Sequence, residues 1–218
     1  MSSRVPEMIE PAALKKEKET RLIEHVLAGR HEQFHELIAP YRRGVYLAAY
    51  DILQVSADAE EVAQEAFLKA FRALRSFRRE SQFSTWLFTI ALNEARMRLR
   101  RRREVPLETV FPGEDDGGDY TPTMLADWRE IPSEALLKEE TRRLVRESIA
   151  QLPEKYREVL TLRDVIGKNI AETSEILGIT IGNTKARLLR ARLMLRDIFV
   201  ERTRRKPRQH PEEERHEA

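Results

Sequence analysis

Apolar positions recur at helical spacing along most of the chain. Between residues 16 and 103, Leu22, Ile23, Val26 and Leu27 form one short stripe. Phe34, Leu37, Ile38, Tyr41, Val45, Tyr46, Ala49 and Ile52 form a longer one. It is interrupted at Gly44 and at Pro40, whose ring fixes φ and removes an amide donor. Asp58 is placed to cap the next helix, with Glu60 and Glu61 in a first turn whose free amides favour negative charge. Val62, Ala66, Phe67, Ala70, Phe71 and Leu74 follow on one face. A last helix of about Phe83–Arg103 is expected to bury Trp86, Leu87, Ile90 and Ala91. The stripes predict a helical bundle over residues 17–103. Residues 1–16, with Pro6, Pro11 and little apolar content, read as disordered.

The periodicity stops over residues 104–133. This stretch holds Pro106, Pro112, Pro122 and Pro132 around the run Glu114, Asp115, Asp116, Gly117, Gly118, Asp119. It reads as a flexible acidic linker. Ser133 can cap the following helix, where Leu136, Leu137, Leu144, Val145, Ile149 and Leu152 are periodic. Pro153 opens another, with Tyr156, Val159, Leu160 and Leu162, and Gly167 ends it. This second unit spans residues 134–201, and residues 202–218 form a charged tail. The expected fold class is all-α, with two small helical domains joined by the linker. A length of 218 residues suits two compact units.

The strongest local pattern lies at about residues 171–191. Ile170, Thr173, Ile176 and Leu177 form the inner face of a short helix, Gly178 permits a sharp turn, and Ile179 plugs the corner. Thr180 can cap a second helix with Ile181, Thr184, Leu188 and Leu195 pointing inward. Its outer face carries Asn183, Lys185, Ala186, Arg187, Leu189 and Arg190. This is a helix-turn-helix, whose second helix reads base edges in the major groove from its N-terminal turns. Lys185 and Arg190 are best placed for bases, and Leu189 can touch a thymine methyl. Asn183, Arg187 and Arg192 suit phosphates. An antiparallel helix pair with a solvated basic face is the plainer alternative, but the turn glycine, the small Gly182 and the basic face coincide.

Charge sharpens this picture. Lys and Arg number 39 against 37 Asp and Glu, yet the two signs are segregated. Six of the eight residues 96–103 are arginine, whereas residues 104–134 hold nine acidic residues and one basic, Arg129. Segregation of this kind says more about partners than the total charge does. There is no cysteine, so no disulfide or thiolate metal site is possible. His31 and His35 are one turn apart but lack a third ligand, so no metal is expected. No cofactor-binding loop or nucleophile–base pair supports an enzyme. No apolar run reaches the length of a membrane span, and no signal-peptide core opens the chain. A cytoplasmic protein without membrane insertion is expected.

Two more segments narrow the reading. The first is residues 58–71, DAEEVAQEAFLKAF. The second is residues 77–93, FRRESQFSTWLFTIALN, running into the arginine cluster. With residues 152–160, LPEKYREVL, and the helix-turn-helix, they resemble the extracytoplasmic-function (group 4) sigma factors of bacterial RNA polymerase, within the sigma-70 family. The resemblance covers about residues 22–196. It implies that the first segment is region 2.2, which docks on a coiled coil of the largest polymerase subunit through Asp58, Glu61, Gln64, Glu65, Phe67, Leu68 and Lys69. The polymerase flap is the partner implied for the second unit. The second segment resembles regions 2.3 and 2.4, which melt and read −10 DNA. A flipped base needs an aromatic wall and polar groups. Phe77, Phe83 and Trp86 offer aromatics, although Trp86 also suits the core. Ser81, Gln82, Ser84, Thr85 and Asn93 offer hydrogen bonds. Arg78, Arg79, Arg96, Arg100 and Arg101 can neutralise phosphates. The −35 element falls to Asn183, Lys185, Ala186, Arg187, Leu189, Arg190 and Arg192.

The resemblance further implies promoter DNA and an anti-sigma factor as partners. Met97, the trio Lys168, Asn169 and Ile170, and Thr184 depart from the family pattern. The linker would thread toward the template strand and RNA exit path, its acidity mimicking nucleic acid. The main alternative is a one-component repressor or activator that dimerises through its N-terminal bundle on a palindrome. An RNA-binding protein built on the arginine cluster is a third, disfavoured by the ordered helix-turn-helix and the lack of RGG or RNP-like patterns.

Overall fold

A computed structural model describes residues 12–103 and 139–205. Among these residues there is no strand. The first half contains α1 (Ala12–Leu27), α2 (Gln33–Ile38), α3 (Arg42–Leu53), α4 (Ser56–Ala73) and α5 (Phe83–Arg103). The second contains α6 (Glu139–Ala150), α7 (Glu154–Leu160), α8 (Ile170–Leu177) and α9 (Ile181–Arg205). The linker at residues 104–133, the cap at Ser133, Leu136, Leu137 and the tail from residue 206 lie outside the described residues.

Helices α3, α4 and α5 pack on one another and form the first half's centre. Ala49, Ala59, Ala66, Ala91 and Ala95 are fully buried where these helices cross, so the backbones can approach closely. Leu74, Phe83, Leu87, Phe88 and Leu92 fill the space between them. Each large side chain so buried contributes about 1.5–3 kcal/mol. Pro40 sits in a short 3-10 turn, Ala39–Tyr41, and α3 starts directly after it. Gly44 therefore lies inside α3 and does not break it.

Three expectations need correction. Helix α1 begins at Ala12, so residues 12–16 are helical. Its next turns are pinned from outside: the Tyr41 hydroxyl donates to Glu19 at 2.6 Å, and Lys18 pairs with Glu36 at 3.3 Å. Asp58 is not the cap of α4. The helix starts at Ser56 after an extended Val55, which places Asp58 inside the first turn, facing α5. Helix α9 runs on to Arg205, past the expected end at residue 201, because Arg202 reaches back to Glu147 of α6 at 3.0 Å.

In the second half, Pro153 stands at the N-cap of α7. A π-helical turn, Thr161–Val165, follows α7, and Gly167 at φ +85° redirects the chain toward α8. Ile149, Leu152, Val159, Leu160, Leu162, Ile176 and Leu188 are buried here. The two halves also pack against each other, α5 on α8 and α3 on α7. Their buried residues form one continuous cluster.

Candidate nucleic-acid interface

The helix-turn-helix is built by caps. Asn169 accepts a bond from the Glu172 amide at 2.9 Å, and Glu172 accepts one from the Asn169 amide at 2.8 Å. This capping box starts α8 and satisfies two otherwise unpaired donors. The N-x-x-E pattern was readable in the sequence but was not among the expectations. Gly178 closes α8 in the left-handed conformation at φ +68°, where a side chain would be strained. The Thr180 hydroxyl accepts from the Asn183 amide at 3.2 Å, as expected of a cap.

The inward face of α9 is set by Thr184 and Leu188, both buried, with the Thr184 hydroxyl donating to the Thr180 carbonyl. Ile181 was expected to point inward but is 50% exposed. It occupies the first turn, beyond the cover that α8 provides. Lys185, Ala186 and Leu189 are exposed on the outer face, as expected. Asn183, Arg187 and Arg190 are half-buried. Asn183 holds the Arg187 guanidinium at 2.9 Å, so these two expected phosphate ligands act as one unit. Arg192 is bound by both oxygens of Asp164 at 2.9 and 2.7 Å, which raises its pKa further. That ion pair contradicts a free phosphate-binding role for Arg192 in this arrangement.

The aromatic wall of the other segment forms as expected. Phe77 lies 5.1 Å from Trp86 and 5.9 Å from Phe83, ring centroid to centroid. Phe77 and Trp86 are half-buried, however, while Phe83 is core. Ser84 and Thr85 are buried too, so the structure contradicts direct base contact for Phe83, Ser84 and Thr85 in this state. The cause is tertiary. Phe83 packs against the first-half rings of Tyr41, Phe77 and Trp86, and Lys168 of the second half donates to the Ser84 hydroxyl. Arg96 is likewise occupied, by Glu158. Arg78, Gln82, Asn93, Arg100 and Arg101 are exposed, and Ser81 is half-buried. Arg79 adopts φ +59° in the loop and pairs with Glu24 at 3.2 Å.

The expected polymerase-docking face of α4 is partly neutralised from within. Asp58 is buried and held by Arg98 at 2.8 Å and by Arg102, which corrects its expected exposure. Arg98 also pairs with Glu61. Lys69 pairs with Glu94 of α5 at 2.6 Å. Gln64, Glu65 and Leu68 are exposed and Phe67 is half-buried, leaving an apolar centre with a polar rim. Part of the arginine cluster thus serves to bind α4 to α5, so its charge is not all available to nucleic acid.

Sequence reasoning missed Asp51, Glu158, Thr161, Asp164 and Lys168. Each sits on an ordinary amphipathic helix or turn and has a partner at least 28 residues away, Lys168 pairing in addition with Glu172 one turn on. No local pattern encodes such pairs. Among the described residues, no cluster of His, Cys, Asp and Glu could hold a metal.

The Sigma-70 region 2 family matches residues 37–105, and the Sigma-70, region 4 family matches residues 142–195. The RNA polymerase sigma-H factor of Pseudomonas aeruginosa is 35% identical over 182 residues, covering 82% of this chain and 92% of that protein. The ECF RNA polymerase sigma factor SigW of Bacillus subtilis is 32% identical over 175 residues, covering 80% and 92%. The ECF RNA polymerase sigma-E factor of Escherichia coli strain K12 is 35% identical over 174 residues, covering 78% and 88%. Among solved structures, CnrH in complex with the cytosolic domain of CnrY is similar in fold, with a TM-score of 0.59 at 23% identity, covering 84% of this chain and 97% of that one. The sigma factor RpoE of Bartonella quintana, in complex with the anti-sigma factor NepR, gives a TM-score of 0.57 at 22% identity, covering 78% and 98%.

Proposed function

Because the chain belongs to the ECF RNA polymerase sigma factors of the sigma-70 family, we propose that it binds core RNA polymerase and directs promoter-specific initiation, with residues 134–201 reading −35 DNA and residues 17–103 opening −10 DNA. The observation that carries this is the outer face of α9. Lys185, Ala186 and Leu189 stand exposed on the helix that follows the Gly178 corner, where a recognition helix presents its base-reading turns. Arg187 and Asn183 flank them as a phosphate-binding pair. On the first half, Arg78, Asn93 and Arg100 form the accessible −10 surface, and Gln64, Glu65, Phe67 and Leu68 form the polymerase-docking patch. The nucleotidyl chemistry belongs to the polymerase, and this chain supplies recognition in the cytoplasm. An anti-sigma factor controls it, by analogy with the complex of RpoE and the anti-sigma factor NepR. The one-component repressor is set aside, because the relatives that match over about nine-tenths of their length are polymerase sigma factors.

The test is run-off transcription from a genomic library with reconstituted core polymerase. The factor should initiate at a defined set of asymmetric promoters. Lys185→Ala and Arg190→Ala should each weaken recognition of a −35 duplex by roughly 1–3 kcal/mol. A protein that binds a palindrome without polymerase and never initiates overturns the proposal.

A further inference from the structure

Among the described residues, two non-glycine positions adopt left-handed backbone, Gln54 at φ +54° and Arg79 at φ +59°. A Cβ is strained in that region, and such strain persists only where the surroundings impose it. At Gln54 the fold offsets the strain locally. Gln54 closes α3, its amide donates to the Tyr50 carbonyl at 2.7 Å, and its side chain donates to the carbonyls of Tyr50 and Asp51 at 3.2 and 3.0 Å. These bonds satisfy acceptors at the helix end that would otherwise lack partners. Arg79 sits instead at a bend in the loop before α5, whose two ends are fixed. On one side the Phe77 amide donates to the Leu74 carbonyl at 3.2 Å, and the Phe77 ring packs on Trp86. On the other the Gln82 carbonyl accepts from the Trp86 amide at 3.1 Å. Glycine would make this bend without strain. What the arginine side chain adds is one ion pair, to Glu24 of α1 at 3.2 Å, with the two side chains 44% and 58% exposed. An exposed pair returns less than the strain removes. The fold would be better served by glycine here, so the use of the guanidinium lies outside the fold.

We infer that Arg79 is a phosphate-binding residue for the opened DNA strand, carried at a left-handed position against its own backbone preference and steadied by Glu24. That the strand is −10 DNA rests on the proposed function; the strain and the exposed ion pair do not. Three features select a phosphate. A guanidinium has five N–H donors, and Glu24 takes one of them, at Nη1, so an edge remains free for a bidentate grip. The loop carries two arginines, Arg78 and Arg79, against one carboxylate, Glu80, and is net positive. Lys16 of α1, Ser81 and Gln82 line the same open cleft as Arg79, beside the aromatic rings of Phe77 and Trp86. Cations along a backbone track, with aromatic faces for the bases, are what holds a single strand. The ion pair to Glu24 spans 55 residues and gives α1 a part in setting that track.

The test sets stability against strand binding. Glycine and asparagine both accept left-handed backbone, so Arg79→Gly and Arg79→Asn in the full chain should melt at or above the parent, by up to about 4 °C. The same variants, reconstituted with core polymerase, are then titrated with promoter DNA whose −10 region is single-stranded, the promoter being one defined by run-off transcription. Over a range of KCl concentrations both should bind more weakly than the parent. The slope of log affinity against log salt should fall by about 0.7, the value for one lost phosphate contact on a single strand. Arg79→Lys keeps the charge and should keep the slope. A purely structural arginine would do the opposite, lowering Tm when replaced and leaving the slope alone. A lower Tm in both variants, or a slope equal to the parent's, therefore overturns the role. If that happens while the parent initiates from defined promoters, the sigma-factor reading stands. A parent that initiates nowhere overturns that reading and this role with it.

Discussion

Asp51 offers a measurable consequence of the packing between the halves. Its carboxyl lies on α3, half-buried beneath α7 and the π-helical turn, with the Thr161 hydroxyl donating to it. Burial, the largest influence, lifts its pKa from 3.8 to about 6, while the Thr161 bond and Arg157 pull it down and Glu158 raises it. A carboxyl with a raised folded-state pKa holds its proton more tightly in the folded chain than in the unfolded one. Its stabilising contribution is complete below about 3.8 and is lost as pH rises through about 6. The gap of about two units corresponds to up to ~3 kcal/mol of cost for the ionised form at neutral pH. Asp51→Asn removes that cost and keeps an oxygen to accept from Thr161. In a domain of this size ~3 kcal/mol corresponds to roughly 6–12 °C in Tm, taken as an upper bound. Thermal melts followed by circular dichroism should therefore show the variant more stable than its parent at about pH 7.5, with the difference shrinking toward about pH 4–5. A parent that is the more stable at neutral pH, or a difference independent of pH, refutes the reasoning. It would mean that the ionised carboxylate, through Arg157 and Thr161, contributes more than burial costs it.

Two further substitutions test the fold's packing. Gly44→Ala should lower Tm, because overpacking against Phe88 costs about 1–3 kcal/mol, against a helix-propensity gain of roughly 1 kcal/mol. A rise in Tm would show that Phe88 yields freely. The Thr85 hydroxyl is buried without a hydrogen-bond partner. Thr85→Val preserves its shape and should raise Tm by relieving an unsatisfied group worth about 1–3 kcal/mol. A lower Tm would mean that the hydroxyl is satisfied in solution.

Much of the fold was legible because helices are local objects. The stripe at Val62, Ala66 and Ala70 places one face of α4 inward whatever its neighbours, and the expected last helix of the first half coincides with α5. Gly178 and Thr180 marked the turn because left-handed backbone and N-caps are properties of one or two residues. The exposed strip Lys185, Ala186 and Leu189 followed from the same periodicity. Expectations failed where a side chain's surroundings come from a distant part of the chain. Asp58 was expected at the surface, but Arg98 and Arg102 from α5 close over it. Ser84 and Arg96 were expected to face DNA, but Lys168 and Glu158 reach them across 84 and 62 residues.

The sequence by itself determined the helices, most of their inward faces and the helix-turn-helix, since these depend on periodicity and caps, and its motifs carried the resemblance to the polymerase sigma factors. Only the tertiary structure decided which polar groups are spoken for. The fold's pairing of α5 with α7 and α8 commits Arg96 to a carboxylate and Ser84 to an ammonium. Charge and hydrogen-bonding capacity are written in the residue, but availability is not. It depends on distance and burial, which arise only when elements far apart in the chain are packed together.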